Sequence, residues 1–191
     1  MGRIIQPREW QKRGTVALAR WLLGKVLVRT TPHGRQAGVI CEVEAYVGER
    51  DLACHASKGR TARTDVLYQP GGVWYVYLCY GVHEMLNLVT GPGGHPAAVL
   101  IRGLVGVTGP GRLTKRLGID RSLNGLAALP ASGLHLEDHG HKIPRRLITA
   151  GPRIGVNYAG PVWAAKPWRF HFDPDRVGRR EGTAFAKVDS V

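Results

Sequence analysis

Strand-like runs crowd the first half of the chain with no helix between them, and that spacing limits what it can fold into. KVLVRT (25–30), AGVICEVEAYV (37–47), VWYVYLCY (73–80), VHEMLNLVT (82–90) and AAVLIRGL (97–104) follow one another, rich in β-branched and aromatic residues. Strands without regular βαβ alternation predict an α+β fold on a mainly antiparallel sheet. Two runs meeting at Tyr80-Gly81 read as a β-hairpin. Residues 9–23 carry helical periodicity, with Val16, Ala19, Leu22 and Leu23 on one face and Gly24 as a stop. GPGRLTKRLGI (109–119) opens a basic helix behind a Gly-Pro-Gly turn. Residues 48–72 and 124–145 read as loops, the second mixing His and acid, and IGVNY (154–158) and PWRFHF (167–172) as closing short strands. With 191 residues, no internal repeat and no linker, the whole of 1–191 is read as a single domain.

Charge narrows the partner. Lys and Arg number 27 against 14 Asp and Glu, a net +13, and such an excess points to a polyanion. No apolar run reaches the roughly 20 residues that cross a bilayer, and the start MGRIIQPREW has no signal-peptide core. A membrane partner is therefore not expected, and nucleic acid leads. Cys41, Cys54 and Cys79 have neither disulfide-framework nor zinc spacing, and read as buried thiols of a reducing, cytoplasmic compartment. Acids are concentrated where bases are scarce: Glu42, Glu44, Glu49 and Asp51 stand within residues 41–55 beside Arg50 alone. An enzyme acting on a polyanion needs such an island for its chemistry.

Within it, the period of CEVEAYV puts Glu42, Glu44 and Tyr46 on one face and Cys41, Val43, Ala45 and Val47 on the other. Two readings stay open: an amphipathic edge strand whose polar face meets water, or a carboxylate in a cleft able to polarise water. Trp74, Tyr75, Tyr77 and Tyr80 form either a well-packed strand or, at the hairpin tip, a base-stacking or wedging surface. GPGRLTK (109–115) either brings backbone N–H groups with Arg112 or Lys115 to a phosphate, or is a plain turn and cap. HEMLN (83–87) begins like a zincin motif but has Asn87 where the second His belongs, and GPGGHPA (91–97) is no dinucleotide loop. His135, His139 and His141 are within metal reach of one another but read as a solvated loop, so no metal or other cofactor is expected.

EVEAYVG (42–48), CHASKGRTART (54–64), YVYLCYGVHEMLN (75–87), VLIRGL (99–104), GPGRLTKRLGIDRSLNG (109–125) and PRIG (152–155) form an ordered set. Together they resemble the alkyladenine (3-methyladenine) DNA glycosylase family over residues 15–172, leaving a basic N-terminal segment and a C-terminal tail as peripheral. The resemblance implies one compact domain with a curved antiparallel sheet, flanking helices and a protruding hairpin that enters the minor groove. It implies a monofunctional glycosylase that flips alkylated or otherwise damaged purines out of double-stranded DNA and hydrolyses the N-glycosidic bond. The sequence does not give the oligomeric state, and a monomer scanning a duplex is the simplest expectation. Matched by motif, Glu44 is the general base for the attacking water and Arg102 supports it. Tyr46, His55, Tyr77 and Asn87 form the base pocket, and Tyr80 intercalates where the base has left. Arg63, Arg112, Lys115 and Arg153 are candidate phosphate contacts. Thr64, His83 and Glu84 depart from the family pattern.

Two rivals come from other classes: a DNA-binding domain without catalysis, and a glycoside hydrolase using Glu42 and Glu44, which gains nothing from +13. The glycosylase reading requires the Glu44 carboxyl to open onto a cavity beside the tyrosines.

Overall fold

A computed structural model of the chain describes residues 2–182, 184 and 185. Its strands are β1 (Arg3–Ile4), β2 (Val26–Thr31), β3 (Gly34–Tyr46), β4 (Trp74–Cys79), β5 (His83–Val89), β6 (Ala98–Leu104), β7 (Val107–Thr108), β8 (Leu134–Asp138), β9 (Ile148–Gly151) and β10 (Arg169–Phe172). The helices are α1 (Pro7–Gln11), α2 (Thr15–Leu22), α3 (Pro110–Leu117), α4 (Gly160–Ala164) and α5 (Pro174–Glu181). The sheet runs β1-β8-β2-β3-β6-β5-β4, with β10 also on β3, β9 on β10 and β7 on β6. Every pairing is antiparallel, so the α+β class is met in one curled sheet. Among the described residues no helix is long and apolar enough to cross a membrane.

β3 organises the molecule. Its first half pairs β2, and its second half lies between β6 and β10. The change of partner is made at a bulge: Ile40 faces Leu104, Glu42 faces Gly103 and Val43 faces Ile101, so Cys41 and Arg102 are each left without an opposite number. Bulges bend a strand and re-aim side chains, often beside active sites. This one brings Arg102 level with Glu42 and Glu44.

The stripe read in residues 9–23 is real, but Lys12–Gly14 interrupt it, splitting the expected helix into α1 and α2. Leu18, Ala19 and Leu22 of α2 are fully buried, and α2 packs on β3. Truncating Leu18 to Ala should cost about 2–5 kcal/mol. Gly24, at φ 85°, turns the chain from α2 into β2, a conformation that side chains with a Cβ rarely adopt.

Two stretches differ from expectation. The loop expected at 124–145 contains β8, because Leu134 and Leu136 face the core while His135 and Glu137, also buried, disguise the strand as polar. IGVNY forms no strand: Gly155 sits at φ 75° and Asn157–Ala159 is a 3-10 turn. A left-handed residue ends extended backbone. The 48–72 segment stays outside the sheet but is tightened by 3-10 turns at His55–Lys58 and Asp65–Tyr68.

Candidate active site

A cavity of about 510 Å³ opens between the β4–β5 hairpin and the segments 53–55 and 154–158. Tyr46, His55, Tyr77, Asn87, Arg102, Arg63 and Tyr80, all singled out in the sequence, lie on its wall. Its size is that of a small-molecule site.

The hairpin supplies most of the rings. Tyr75 and Tyr77 lie 5.3 Å apart between centroids, and the His55 ring meets Tyr77 edge-on at 4.5 Å. His55 Nδ1 and the Tyr75 hydroxyl are hydrogen-bonded at 3.0 Å. Burial, helped by the Arg63 charge, pushes His55 down to about 4, so the imidazole is neutral at physiological pH. Arg63 stands over the Tyr77 ring at 5.1 Å. Asn87 donates its amide N–H groups to Tyr75 O (3.1 Å) and Met85 O (3.3 Å), which fixes the side chain against the pocket wall.

Glu44 is fully buried and does not itself surface in the cavity. The Tyr46 hydroxyl donates to Oε2 at 2.8 Å, the Ile154 N–H donates to Oε1 at 2.8 Å, and Arg102 Nη1 lies 3.4 Å from Oε1. All three holders line the cavity. The carboxyl therefore sits one residue layer behind the wall and does not open onto the cavity, contrary to the sequence expectation. The cause is topological: β3 is central rather than an edge strand, and the 152–156 segment covers its polar face. Burial raises the Glu44 pKa, while Arg102, the Ile154 N–H and the Tyr46 hydroxyl pull it back. Glu42, two residues earlier, is partly exposed and accepts from Arg102 Nε (3.0 Å) and Arg169 Nη1 (3.2 Å). Arg102 thus bridges both carboxylates.

At the mouth, Tyr80 is 90% exposed and holds φ 51° beside Gly81, a left-handed conformation unusual outside glycine and asparagine. Val82 beside it is also exposed. α3 packs along β5, and Thr114 Oγ1 donates to Glu84 O at 2.9 Å. Arg112 and Lys115, both exposed, are thereby carried on the helix that braces the hairpin.

Arg153 corrects an expectation. It is 4% exposed, with its guanidinium bound to Asp51 on both oxygens (2.5 and 2.8 Å), so it has no route to a phosphate. The sequence marks it as one base in a basic stretch and cannot show depth. The departures from pattern are accounted for locally. Thr64 is buried and ties its own turn, accepting from Thr61 N–H (2.8 Å) and donating to Gly59 O (3.1 Å). Glu84 is paired with Arg121 at 3.0 Å, which neutralises its charge, and His83 packs beside Gly111. Tyr158, which sequence reasoning passed over, lines the cavity with its hydroxyl pinned to Ala53 O at 3.0 Å. A strand assignment for IGVNY concealed it. Among the described residues no three His, Cys, Asp or Glu side chains are arranged to hold a metal ion. His135 and His139 instead bind Glu137 at 3.1 and 2.8 Å, in β8 and just beyond it.

Comparison with known proteins gives the family. The model of the methylpurine-DNA glycosylase family matches residues 9–176. A Myxococcus xanthus protein described as "Putative 3-methyladenine DNA glycosylase" is 46% identical over 172 residues, covering 85% of this chain and 87% of its own. Proteins of the same description from Methanocella arvoryzae (45%, covering 87% and 92%) and Legionella pneumophila (43%, covering 86% and 92%) are similar over comparable lengths. The chain belongs to the methylpurine-DNA glycosylase family and is a DNA glycosylase, a hydrolase acting on N-glycosyl bonds.

Proposed function

We propose that this enzyme removes alkylated purines from double-stranded DNA by extruding the damaged nucleotide into the cavity and directing water at its C1′. The observation that carries the reading is the juxtaposition of a strained, exposed tyrosine with an aromatic cavity whose wall is held by the partners of a buried carboxylate.

The exposed α3 cations hold the phosphates and Tyr80 fills the space the base leaves, offsetting part of the few kcal/mol that extrusion costs. Tyr46 and Tyr77 offer their faces to the base, and Asn87 closes the floor against the 2-amino group of guanine. A purine alkylated at N3 or N7 is cationic and leaves readily, so base protonation matters less than help at the sugar. As the bond breaks, C1′ acquires oxocarbenium character. An ionised Glu44 stabilises that charge and takes a proton from the attacking water, the division of labour of glycoside hydrolysis. Its raised pKa makes Glu44 a stronger base than an exposed carboxylate. Arg102, 3.4 Å from Oε1, favours the ionised form. For Glu44 to meet a water its cover must open, and we assign this to the side chain of Ile154, a residue 52% exposed, turning aside while its backbone N–H stays on Oε1.

The test is to incubate the enzyme with duplexes that each carry one lesion and to measure free base and strand integrity. Release of an alkylated purine from an unbroken strand is expected. Binding without release sinks the reading and favours a DNA-binding module. If about six phosphates are neutralised, affinity should drop roughly a thousandfold between about 50 and 200 mM salt, and a flat salt response would contradict the DNA interface.

A further inference from the structure

Arg153 and Asp51 bury a full ion pair in a protein with ample surface for charge. Both side chains are wholly enclosed. Besides Asp51, the guanidinium donates to Ala45 O (2.9 Å) and Trp163 O (3.2 Å), while Nε is buried with no partner. A buried pair is a poor stabiliser compared with apolar residues of the same volume, the more so with a donor left unused. Hydrogen bonding alone does not account for this residue.

Its neighbours do. The guanidinium carbon lies 4.7 Å from the centre of the Tyr46 ring and 5.1 Å from that of Trp168. Tyr46 is the donor to Glu44 Oε2, and Ile154, the next residue in the chain, is the donor to Glu44 Oε1. One hydrogen bond on the carboxylate comes from a ring that Arg153 backs, the other from a peptide that Arg153 anchors to β3 through Ala45 O.

We propose that Arg153, gripped by Asp51, is a positioning residue for Glu44: it holds the Tyr46 phenol and the Ile154 N–H on the carboxylate and so sets the ease with which Glu44 accepts a proton. The proposal rests on the reading of Glu44 as general base.

The experiment is single-turnover release from a lesion-bearing duplex as a function of pH, on the full chain. Replacing the pair together, as R153M/D51L, removes the guanidinium without stranding a charge, at the cost of the hydrogen bonds that Asp51 accepts from the Val47 and Ala53 N–H groups. Release should slow about tenfold or more, and its acid limb should rise by about one pH unit, because a carboxylate that loses donors protonates more readily. Duplex affinity should stay within about twofold, since neither residue reaches the surface. Arg153→Lys keeps the charge but not the planar fork and should resemble the double variant; it decides the matter if R153M/D51L does not fold. Tyr46→Phe should move the acid limb the same way, and adding it to R153M/D51L should move it little further, as expected for groups acting through one contact. A wild-type acid limb in the folded Arg153 variants, or a Tyr46→Phe shift that adds in full, overturns the proposal. The two readings fail separately: a Glu44→Gln enzyme with normal release removes the general base itself, whereas an inactive Glu44→Gln with an unmoved limb in the Arg153 variants removes only the positioning role.

Discussion

Two acidic sites on the same sheet are both faced by arginine, yet Glu44 at one is shifted opposite to Glu137 and Asp138 at the other. Glu44, on β3, is pushed up by burial, which its hydrogen bonds and Arg102 only partly offset. At Glu137, on β8, burial also pushes upward, but hydrogen bonds from His139, His135 and Arg35 outweigh it and hold the carboxyl low. Its neighbour Asp138 is likewise held low, burial being outweighed by Lys25 and the Gly140 N–H. The second group ties β8 to its surroundings, Glu137 to Arg35 of β3 at 3.0 Å and Asp138 to Lys25 at 2.8 Å. Where donors exceed the desolvation penalty, a carboxylate is a fastener; where they fall short, it is a base in waiting.

The largest effect should come from Glu44→Gln, which keeps the shape and removes the charge. Release should fall about 10²–10⁴-fold, the usual worth of a general base, with little change in duplex affinity. A variant releasing base at the wild-type rate would erase the distinction between the two groups.

Next in size is Tyr80→Ala. Release from duplex should drop about tenfold to a hundredfold, as expected if a stacking contact of about 1–3 kcal/mol is lost, and release from single strands should change less. Because the ring is 90% exposed, the melting temperature should not move. Equal losses on both substrates would argue against a wedge.

The smallest effect belongs to the fastener. A carboxyl whose folded pKa is depressed contributes stability above the ordinary carboxylate range, roughly pH 4, and loses it as pH falls through the lower folded value. Glu137→Gln should therefore lower stability at neutral pH by about 1–3 kcal/mol and by progressively less in acid. Glu44 behaves in reverse: its folded pKa is raised, so protonating it does not destabilise the chain but does stop catalysis. Acidification should abolish base release before hydrogen exchange reports loosening of β8. Simultaneous loss would mean that the two sets of acids do not differ as described.

How legible all this was depended on whether the information was local. The hairpin announced itself through alternating aromatics around Tyr80-Gly81, and β3 through its period, because both patterns fit within a dozen residues. β8 did not, since His135 and Glu137 are polar by type but buried by mutual pairing, a property of the fold alone. The side chains round the cavity could be assembled through motif order, yet their depth could not. Glu44 and Arg153 look like surface charges in a one-dimensional string. Only the pairing of β3 with β6 and β10, and the return of residues 152–156 over it, bury both of them beneath the surface. The bulge that aims Arg102 was equally invisible, because register belongs to two strands at once.

The most direct measurement is a structure of the Glu44→Gln enzyme on a duplex carrying a methylated purine. An everted nucleotide, its base beside Tyr46 and Tyr77 and a water bridging C1′ to side chain 44 at hydrogen-bonding distance, is the result expected. A seated nucleotide with side chain 44 still shut behind Tyr46 and Ile154, and no solvent between it and the sugar, would contradict the assignment.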